Sequence, residues 1–433
     1  MKDKIKKVLH VKKRETIPDL SAPGCVVSIK RRYTEKEKTN LESWSFRHQG
    51  KIRSFTEEKQ RRVSRRKKRR YKLLGLVVCI FAVVVCCLVM NLQTYTKIEV
   101  LSQEKGPGLG KSHYIRFGED ILCYNKDTTI MLDMKGKELW KEGYQIQNPV
   151  MEVNKEAAVL IDRGGNDFMI FDKNGMKGRV HTALPIEKVS ISEKGITAVL
   201  LKDKNMPNIL CYDAEGKLLI EYKVSTAISG YPLDLALSPD GTMLMVSYLK
   251  IQNGEIDTEV SYYDFGKKRE TEEEYKISSK TYKDVIVPDV FFVSNEKSAA
   301  VGTQGFMIYE GDRPEEEKNV KISTEIKSVC YDENYLVIVL KNSEKAGYRL
   351  CMYDYNGKKV LKEDFKGEYD KIKIDDEQII MYSANQCSIY NKNGVHRFEG
   401  SMGTNIDNIF PAAEFNRYMI ANDKGIQTVR LTK

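Results

Sequence analysis

The sequence has few of the side chains that usually carry enzyme chemistry. Its 433 residues include five histidines and two tryptophans. Three of the histidines lie after residue 100 and far apart in the chain, namely His113, His181 and His396. No His-Glu-x-x-His, Gly-x-Ser-x-Gly or Cys-His spacing occurs, so the parts of a zinc hydrolase or of an activated nucleophile are missing. We therefore expect no metal and no cofactor, and we interpret the three histidines as surface or turn residues.

Cysteine does not provide a disulfide framework. Nine cysteines are present, of which Cys25 precedes residue 73 and three lie between residues 73 and 92. The five that follow are Cys123, Cys211, Cys330, Cys351 and Cys387. Their odd number and the lack of a Cys-x-x-Cys pair disfavour a disulfide scaffold. Because each lies in an apolar run, we predict free cysteines packed as small apolar side chains, with one chance disulfide as the alternative.

One apolar run contains no charged residue. It extends from Leu73 to Leu92, and as a helix of 20 residues it would be about 30 Å long, the thickness of the hydrocarbon layer of a bilayer. A cleaved signal peptide is disfavoured, since its charged region would be 72 residues long. The run predicts one transmembrane helix over 73–92 that stays in place as an anchor.

The charges on the two sides of this run have opposite signs. Residues 1–72 contain 25 Lys or Arg and eight Asp or Glu, a net charge of +17, whereas the remainder carries −7. Twelve Lys or Arg lie within 51–72 and three within 93–114. Because basic residues near a span stay on the cytoplasmic side, we expect a cytoplasmic N-terminus and an extracytoplasmic C-terminal domain.

Residues 1–72 have too few large apolar side chains to form a core, and we predict a disordered cytoplasmic tail. The tail ends in a basic collar of nine residues, Arg61, Arg62, Arg65, Arg66, Lys67, Lys68, Arg69, Arg70 and Lys72. Clustered basic residues at this position favour contact with the anionic inner leaflet of the bilayer. A cytoplasmic protein partner is the next alternative. Nucleic acid is ranked last, because the tail contains no nucleic-acid-binding fold.

Beyond the span the chain has a strand-and-turn pattern. Short β-branched runs such as 157–161, 196–201 and 336–340 are bounded by Gly, Asn or Asp, and they are apolar without alternation. Such runs are typical of strands covered on both faces. They indicate an all-β domain of stacked sheets.

A turn motif recurs after these strands, with an Asp or Asn followed three residues later by Gly. Its members are Asp133 and Gly136, Asp172 and Gly175, Asp213 and Gly216, Asp354 and Gly357, and Asn391 and Gly394. Asp240 and Gly241 form a related turn in which the two residues are adjacent. With looser members at 264 and 310, the motif has a mean spacing of 43 residues, the length of one propeller blade. The Asp or Asn side chain accepts backbone hydrogen bonds, and Gly supplies a positive φ. We therefore prefer a turn at 172–175 to half of a calcium loop.

Counting these units predicts a β-propeller of about eight four-stranded blades over 113–433, with seven as the alternative. The last unit is one strand short. Residues 98–101, within a linker over 93–112, are the candidate that would complete it and close the ring.

Two groups of residues resemble known families. The segment 237–241, Leu-Ser-Pro-Asp-Gly, followed by the apolar run 243–247, is similar to a hairpin of WD40-like and YVTN-type bacterial propellers. The segments at 147–149, 184–186, 229–232 and 409–411 resemble an uncharacterised family of single-span membrane proteins from Gram-positive bacteria. This resemblance covers about 95–431 and implies a membrane-tethered outer propeller of unknown activity. True WD40 repeats differ, because neither Trp-Asp nor Gly-His pairs recur here.

Three functions are compatible with these features. The first is a non-enzymatic binding module at the cell membrane, with an unknown protein, peptide or cell-wall ligand at the propeller. The second is transmembrane signalling or scaffolding, in which the tail engages a cytoplasmic partner. The third is an envelope enzyme that uses propeller carboxylates, which requires a cluster of Asp or Glu with raised pKa values at the ring mouth. The acidic pair at 375–376 and the Glu run at 315–317 do not by themselves indicate such a site, and a run of this kind usually marks a solvated loop.

Overall fold

The computed structural model describes residues 71–85, 89, 92–105, 111–252, 254–266, 275–342 and 346–433. The predicted disordered tail up to residue 70, and with it the collar from Arg61 to Arg70, lies outside these residues. Within them the chain forms one short run of helix, one single-turn helix and 32 strands.

Residues 71–85 form helix α1, which includes Lys72 and the predicted start of the span at Leu73. Its large apolar side chains from Leu73 to Val85 are all exposed. In the part of the chain that the structure describes, no helix has the length and apolar character needed to cross a membrane. Of the remainder of the predicted span, only residues 89 and 92 are described.

The strands after α1 form eight four-stranded antiparallel sheets, the blades of a propeller. Blade 1 consists of β2 (His113–Phe117), β3 (Asp120–Tyr124), β4 (Thr128–Leu132) and β5 (Glu138–Gly143), and blade 2 of β6 (Pro149–Val153), β7 (Ala157–Asp162), β8 (Asp167–Asp172) and β9 (Gly175–His181). Blade 3 consists of β10 (Ile186–Ile191), β11 (Thr197–Leu201), β12 (Asn208–Tyr212) and β13 (Leu218–Lys223), and blade 4 of β14 (Tyr231–Leu237), β15 (Met243–Gln252), β16 (Glu255–Asp264) and β17 (Lys276–Lys283). A single-turn helix, α2 (Thr226–Ser229), connects blades 3 and 4.

Blades 5 to 8 repeat this arrangement. Blade 5 consists of β18 (Asp289–Phe292), β19 (Lys297–Gly302), β20 (Gly305–Glu310) and β21 (Glu315–Lys321), and blade 6 of β22 (Ile326–Tyr331), β23 (Tyr335–Lys341), β24 (Tyr348–Asp354) and β25 (Lys359–Phe365). Blade 7 consists of β26 (Lys371–Asp375), β27 (Gln378–Ser383), β28 (Gln386–Asn391) and β29 (His396–Ser401), and blade 8 of β30 (Asn408–Pro411), β31 (Arg417–Asn422) and β32 (Gly425–Thr432), with β1 (Lys97–Lys105). The prediction of eight four-stranded blades is confirmed, and the alternative of seven is wrong.

The last blade is completed by the N-terminal strand. Its strand order is β1, β32, β31, β30, so β1 is the outermost strand beside the C-terminal β32. The pairs run from Lys97 opposite Thr432 to Lys105 opposite Gly425. Residues 98–101, the candidate for the missing strand, lie within β1. The ring is therefore closed by hydrogen bonds between the two ends of the propeller sequence, which leaves no unpaired break between its first and last strands.

The residues just before β1 contact the neighbouring blade. The backbone N–H of Tyr95 donates to the carbonyl of Arg397 at 2.8 Å, and the N–H of Glu399 donates to the carbonyl of Tyr95 at 3.2 Å. The Tyr95 side chain is buried, and the Arg397 guanidinium lies 5.5 Å from its ring centroid. Because β29 belongs to blade 7, this segment links blades 7 and 8 in addition to the pairing of β1.

The core lies between blades. Eight clusters of buried apolar residues each join the facing sides of two neighbouring blades, including one between blade 8 and blade 1. The second strand of blade 2, β7, is buried at all six of its positions. This explains why such strands are apolar without alternation, since both of their faces are covered.

The meander gives the ring two different faces. On one side lie two turns of each blade, the turn between its first and second strands and the turn between its third and fourth strands. We call this side the turn face. The opposite side carries the second-to-third turns and the connections between blades, and we call it the loop face. Because Lys97 pairs with the end of β32, the chain enters β1 at the turn face.

Two expectations about irregular segments are wrong. The Glu run at 315–317 is not a solvated loop, because it begins strand β21, where Glu316 accepts a hydrogen bond from the Tyr282 hydroxyl. The charged, Glu-rich composition of 267–283 also predicts a loop that projects from the ring between the fourth and fifth units; residues 267–274 lie outside the described residues, and Lys276–Lys283 is strand β17, the outer strand of blade 4. Outer strands have one face toward solvent, so their sequences are as polar as those of loops.

Candidate functional site

A central cavity of about 1080 Å³, which we call the channel, is lined by residues of the first strands of blades 1 to 6 and of the adjoining turns. The first strand of every blade is its inner strand, and every inner strand except β30 includes at least one charged residue. Four of these charged residues line the channel, Arg116, Glu152, Lys188 and Asp234. They interact with three more on the inner strands, Asp289, Lys373 and Asp375. Charges in this position must pair with each other or with a ligand, because an isolated charge away from bulk water is costly.

On one side of the channel a buried carboxylate holds two cations. Asp375 Oδ1 lies 2.7 Å from Arg116 Nη1, and its Oδ2 lies 2.9 Å from Lys373 Nζ. Only 8 % of the Asp375 side chain is exposed. Burial lowers the pKa of Lys373, although Asp375 opposes this shift, and the ammonium lies 4.3 Å from the centroid of the Phe410 ring. Arg116 of blade 1 thus reaches blade 7 across blade 8, whose inner strand has no charge.

The other side contains more acids than bases. Lys188 Nζ is 3.0 Å from Asp234 Oδ1, and the other oxygen of Asp234 accepts the Val290 N–H at 3.0 Å. Burial, followed by repulsion from Asp234, raises the pKa of Glu152 to about 8. Burial also raises the pKa values of Asp234 and Asp289. Three carboxyl groups therefore share one lysine, and part of this group is protonated near neutral pH.

At the turn face an ion pair crosses the channel mouth. Lys155 Nζ lies 2.6 Å from Glu333 Oε2 and 3.6 Å from Glu193 Oε1. Lys155 belongs to blade 2 and Glu333 to blade 6, which is opposite in a ring of eight. All three side chains keep substantial exposure, so this contact contributes at most about 1 kcal/mol. The mouth is therefore spanned by a contact that a ligand can displace at little cost.

The raised pKa of Glu152 predicts a pH-dependent stability difference for Glu152→Gln. The native state keeps this proton up to about pH 8, whereas the unfolded chain releases it near 4.5, so the stability of the parent protein falls as pH rises between these values. Glutamine imitates the protonated form. The variant should match the parent protein at pH 4 and exceed its free energy of unfolding by about 1 kcal/mol or more at pH 9. Denaturant titrations at the two pH values measure this difference.

Glu325→Gln is the matched control, since the Lys327 ammonium lowers the pKa of Glu325 and its neutral form should gain nothing at high pH. An equal gain at pH 4 and pH 9 for Glu152→Gln would contradict the assignment of its proton.

The predicted turn residues lie on the turn face, away from the channel charges. Asp133 Oδ1 accepts the N–H groups of Lys135 and Lys137 at 2.8 and 2.9 Å, and Gly136 has a φ of 81°. Four turns share this double contact, those that begin at Asp133, Asp213, Asp354 and Asn391. The side-chain oxygens of these Asp and Asn residues are occupied by the backbone of their own turns, so they hold the blades in shape.

Two of the turns differ from this pattern. Asp172 Oδ1 accepts only the Asn174 N–H, at 2.7 Å, and Gly175 already begins β9. Asp240 and Gly241 lie between the first and second strands of blade 4, and the Asp240 carboxylate accepts from the hydroxyls of Ser238 and Thr242. In the described part of the chain, no three His, Cys, Asp or Glu are placed to hold a metal ion.

The histidines and cysteines do not form a reactive group. His113 and His181 each lie 3.2 Å from an aspartate, whereas His396 is half-buried and lies 3.0 Å from Ser388 Oγ. The carboxylate nearest to His396 approaches the same ring nitrogen as Ser388, so the relay of a hydrolase triad is not formed. The five cysteines of the propeller are free, and four of them are buried. Burial raises the pKa of the Cys211 thiol to about 12, which makes it a poor nucleophile.

Sequence reasoning did not find the channel residues. Arg116, Glu152 and Asp234 are single charges in their strands, and Lys188 follows Glu187 in β10; these strands differ little from other strands in composition. A usable signal was their place in the repeat, since each lies in the first strand of its unit. Asp375 was noted only as half of an acidic pair, and the structure separates that pair by ending β26 at Asp375.

The family relationship agrees with this architecture. A family model described as a family of unknown function, DUF5711, matches residues 91–431. The chain belongs to this family. The match to the DUF5711 family begins just before the segment that closes the ring and ends within β32. A comparison with the curated proteins gives no significant match.

Solved structures share the propeller fold of this DUF5711 family member. Sqt1 from Saccharomyces cerevisiae is 10% identical with a TM-score of 0.52, and the similarity covers 78% of this chain and 100% of that one. BamB from Moraxella catarrhalis is 12% identical with a TM-score of 0.47, covering 78% and 98%. At these identities the similarity concerns the fold alone. Function must therefore be argued from the site.

Proposed function

We propose that this DUF5711 family member is a membrane-anchored, non-enzymatic binding module whose propeller receives a protein or peptide segment in its channel. The observation that carries the proposal is the channel of about 1080 Å³ with separated charges in its lining, a basic side at Arg116 and an acidic side at Glu152 and Asp234. An extended peptide with charges of both signs would complement these two sides. A cell-wall component is the alternative ligand.

A photo-crosslinking residue at Tyr331 tests the channel. Tyr331 lines the channel and is 47 % exposed, while its ring stacks on Phe291 at 3.5 Å. The same residue placed at Val360, an exposed position on the outer strand β25, is the control. We expect a crosslinked partner from Tyr331 and none from Val360. Equal crosslinking from both positions would place binding elsewhere.

The membrane anchor is supported by the charge-free run 73–92 and by the exposed apolar side chains of α1. We propose that this run spans the membrane, with the collar on the anionic inner leaflet and the propeller outside.

Cysteine labelling tests the orientation. A membrane-impermeant maleimide on intact cells should label Val360→Cys, because this position is exposed, and should label the native Cys25 only after lysis. The buried outer cysteines give little background. Labelling of Cys25 in intact cells, with Val360→Cys protected, would reverse the proposed topology.

A second candidate function is supported by a specific observation. The cluster of Glu152, Asp234 and Asp289 with raised pKa values meets the condition that a carboxylate-based envelope enzyme requires. In such an enzyme Glu152, protonated near neutral pH, would be the general acid. Glu152→Gln distinguishes the two functions, since it would abolish hydrolysis of a cell-wall glycan but would leave ligand capture at Tyr331 largely intact.

Signalling through the tail is tested separately. Deleting residues 1–60 keeps the collar and the span. Ligand binding by the propeller should be unchanged by this deletion, whereas a signalling or scaffolding role predicts the loss of a cytoplasmic partner from co-purification.

A further inference from the structure

The loop face contains a second cavity, which adjoins the channel and shares Val150, Arg163 and Glu187 with its lining. It has a volume of about 820 Å³ and lies between the loop-face segments of blades 1, 2 and 3. Four basic residues line it: Lys111, Lys126, Arg163 and Lys202. Within the residues that the structure describes, none of the four has an ion-pair partner, whereas the channel cations Arg116, Lys188 and Lys373 are all paired.

The backbone that carries three of these cations is fixed. The carbonyl of Lys126 accepts the Ile146 N–H at 2.9 Å. The N–H of Arg163 donates to the Asn148 carbonyl at 2.9 Å, and the N–H of Lys202 donates to the Pro185 carbonyl at 2.7 Å. Each bond ties a second-to-third turn to the neighbouring connection between blades. The cationic side chains therefore extend from a prepared frame, which lowers the cost of ordering them around a ligand.

Acidic groups at this cavity do not neutralise it. Of the two carboxylates in its lining, Glu187 accepts a hydrogen bond from the Tyr231 hydroxyl at 2.6 Å, and Asp127 forms no ion pair within the described residues. His113, also in the lining, lies 3.2 Å from Asp407. The cavity keeps an excess of positive charge although residues 73–433 carry −7. A positive cavity in an acidic domain selects anions and attracts them by their charge.

We infer that this cavity is a binding site for a phosphate-bearing ligand, which goes beyond the proposed role of the channel. Lysines act as point charges toward phosphate, and the planar guanidinium of Arg163 can donate two parallel hydrogen bonds to it. The exposed side-chain amides of Gln147 and Asn148 add further donors. Four cations exceed what a single carboxylate needs, so a ligand with several phosphate charges fits the cavity.

Lysine footprinting on the full-length protein in detergent tests the site. Amine-reactive labelling and mass spectrometry would be performed with tripolyphosphate, with a short oligomer of glycerol phosphate, and with polyglutamate of equal charge. We expect either phosphate probe to protect Lys126 and Lys202, and the more effective probe distinguishes a compact phosphate from a phosphodiester chain. The loop-face lysines Lys283 and Lys321, exposed and outside the cavity, should stay reactive. Because each lysine is read individually, binding to the basic tail does not obscure the result.

Variants provide the matched comparison. Lys126→Gln, Arg163→Gln and Lys202→Gln combined should weaken phosphate binding at this cavity about tenfold or more, as judged by the protection of Lys111. The control variant combines Lys283→Gln, Lys321→Gln and Lys366→Gln. It removes the same charge from the loop face outside the cavity and should leave phosphate binding at the cavity unchanged. Equal protection of all loop-face lysines, equal protection by polyglutamate, or equal loss in both triple variants would overturn the inference.

Discussion

Removing strand β1 will open the propeller. A fragment of residues 93–433 should unfold cooperatively, whereas one of residues 107–433 should lose the transition or unfold at a temperature lower by on the order of 10 °C. The shorter fragment loses eight paired positions beside β32 and leaves Val429 and Leu431 without their covering strand. It also loses Tyr95 and its two backbone hydrogen bonds to blade 7. Calorimetry and size-exclusion chromatography measure both effects.

A synthetic peptide provides the control for this prediction. Residues 93–106 added to the shorter fragment should pair with β32 as a separate strand and restore part of the transition. The same peptide with Val100→Pro should not, because proline removes a backbone donor and distorts the pairing opposite Val429. If the two fragments are equally stable, the contacts between blades hold the ring closed without this strand.

Asp375→Asn is expected to be among the most destabilising single substitutions in the channel, with a loss of about 3 kcal/mol in the free energy of unfolding. The carboxylate accepts from Arg116 at 2.7 Å and from Lys373 at 2.9 Å, so its removal leaves two cations close together without a counter-charge. Asparagine keeps the size of the side chain, which isolates the effect of charge. Denaturant unfolding of the propeller measures the loss.

A second substitution tests the cause. Arg116→Met in the Asp375→Asn background should restore part of the lost stability, because it removes one of the unpaired cations. Glu325→Gln breaks the exposed pair with Lys327 and should change stability little. A change below about 1 kcal/mol for Asp375→Asn would mean that solvent in the channel screens these charges as it does those at the surface.

Much of the fold could be predicted because a propeller repeats a local pattern. The turn that begins at Asp133 is determined within five residues, since the carboxylate accepts the N–H groups of Lys135 and Lys137. Repetition of that pattern at a mean of 43 residues gave the number of blades, and the missing strand of the last unit indicated how the ring closes. The misassigned β17 and β21 are outer strands, where solvent on one face permits a composition like that of a loop.

The candidate site could not be predicted in the same way. Arg116 and Asp375 are 259 residues apart, and Lys155 and Glu333 belong to blades on opposite sides of the ring. Their contacts exist only when all eight blades are in place, because the closure of the ring sets the distances across the channel. The raised pKa of Glu152 has the same origin, since burial by the inner strands and the nearby Asp234 cause it.

The sequence by itself determined the charge-free run, the opposite charges on its two sides, the blade repeat and its closing strand, because each depends on composition or on neighbouring residues. Only the tertiary structure decided which charges meet in the channel and which remain unpaired at the loop-face cavity. Electrostatic interactions act through space and fall off with distance. Residues far apart in the chain acquire a common function only when the fold brings them within a few ångströms of each other.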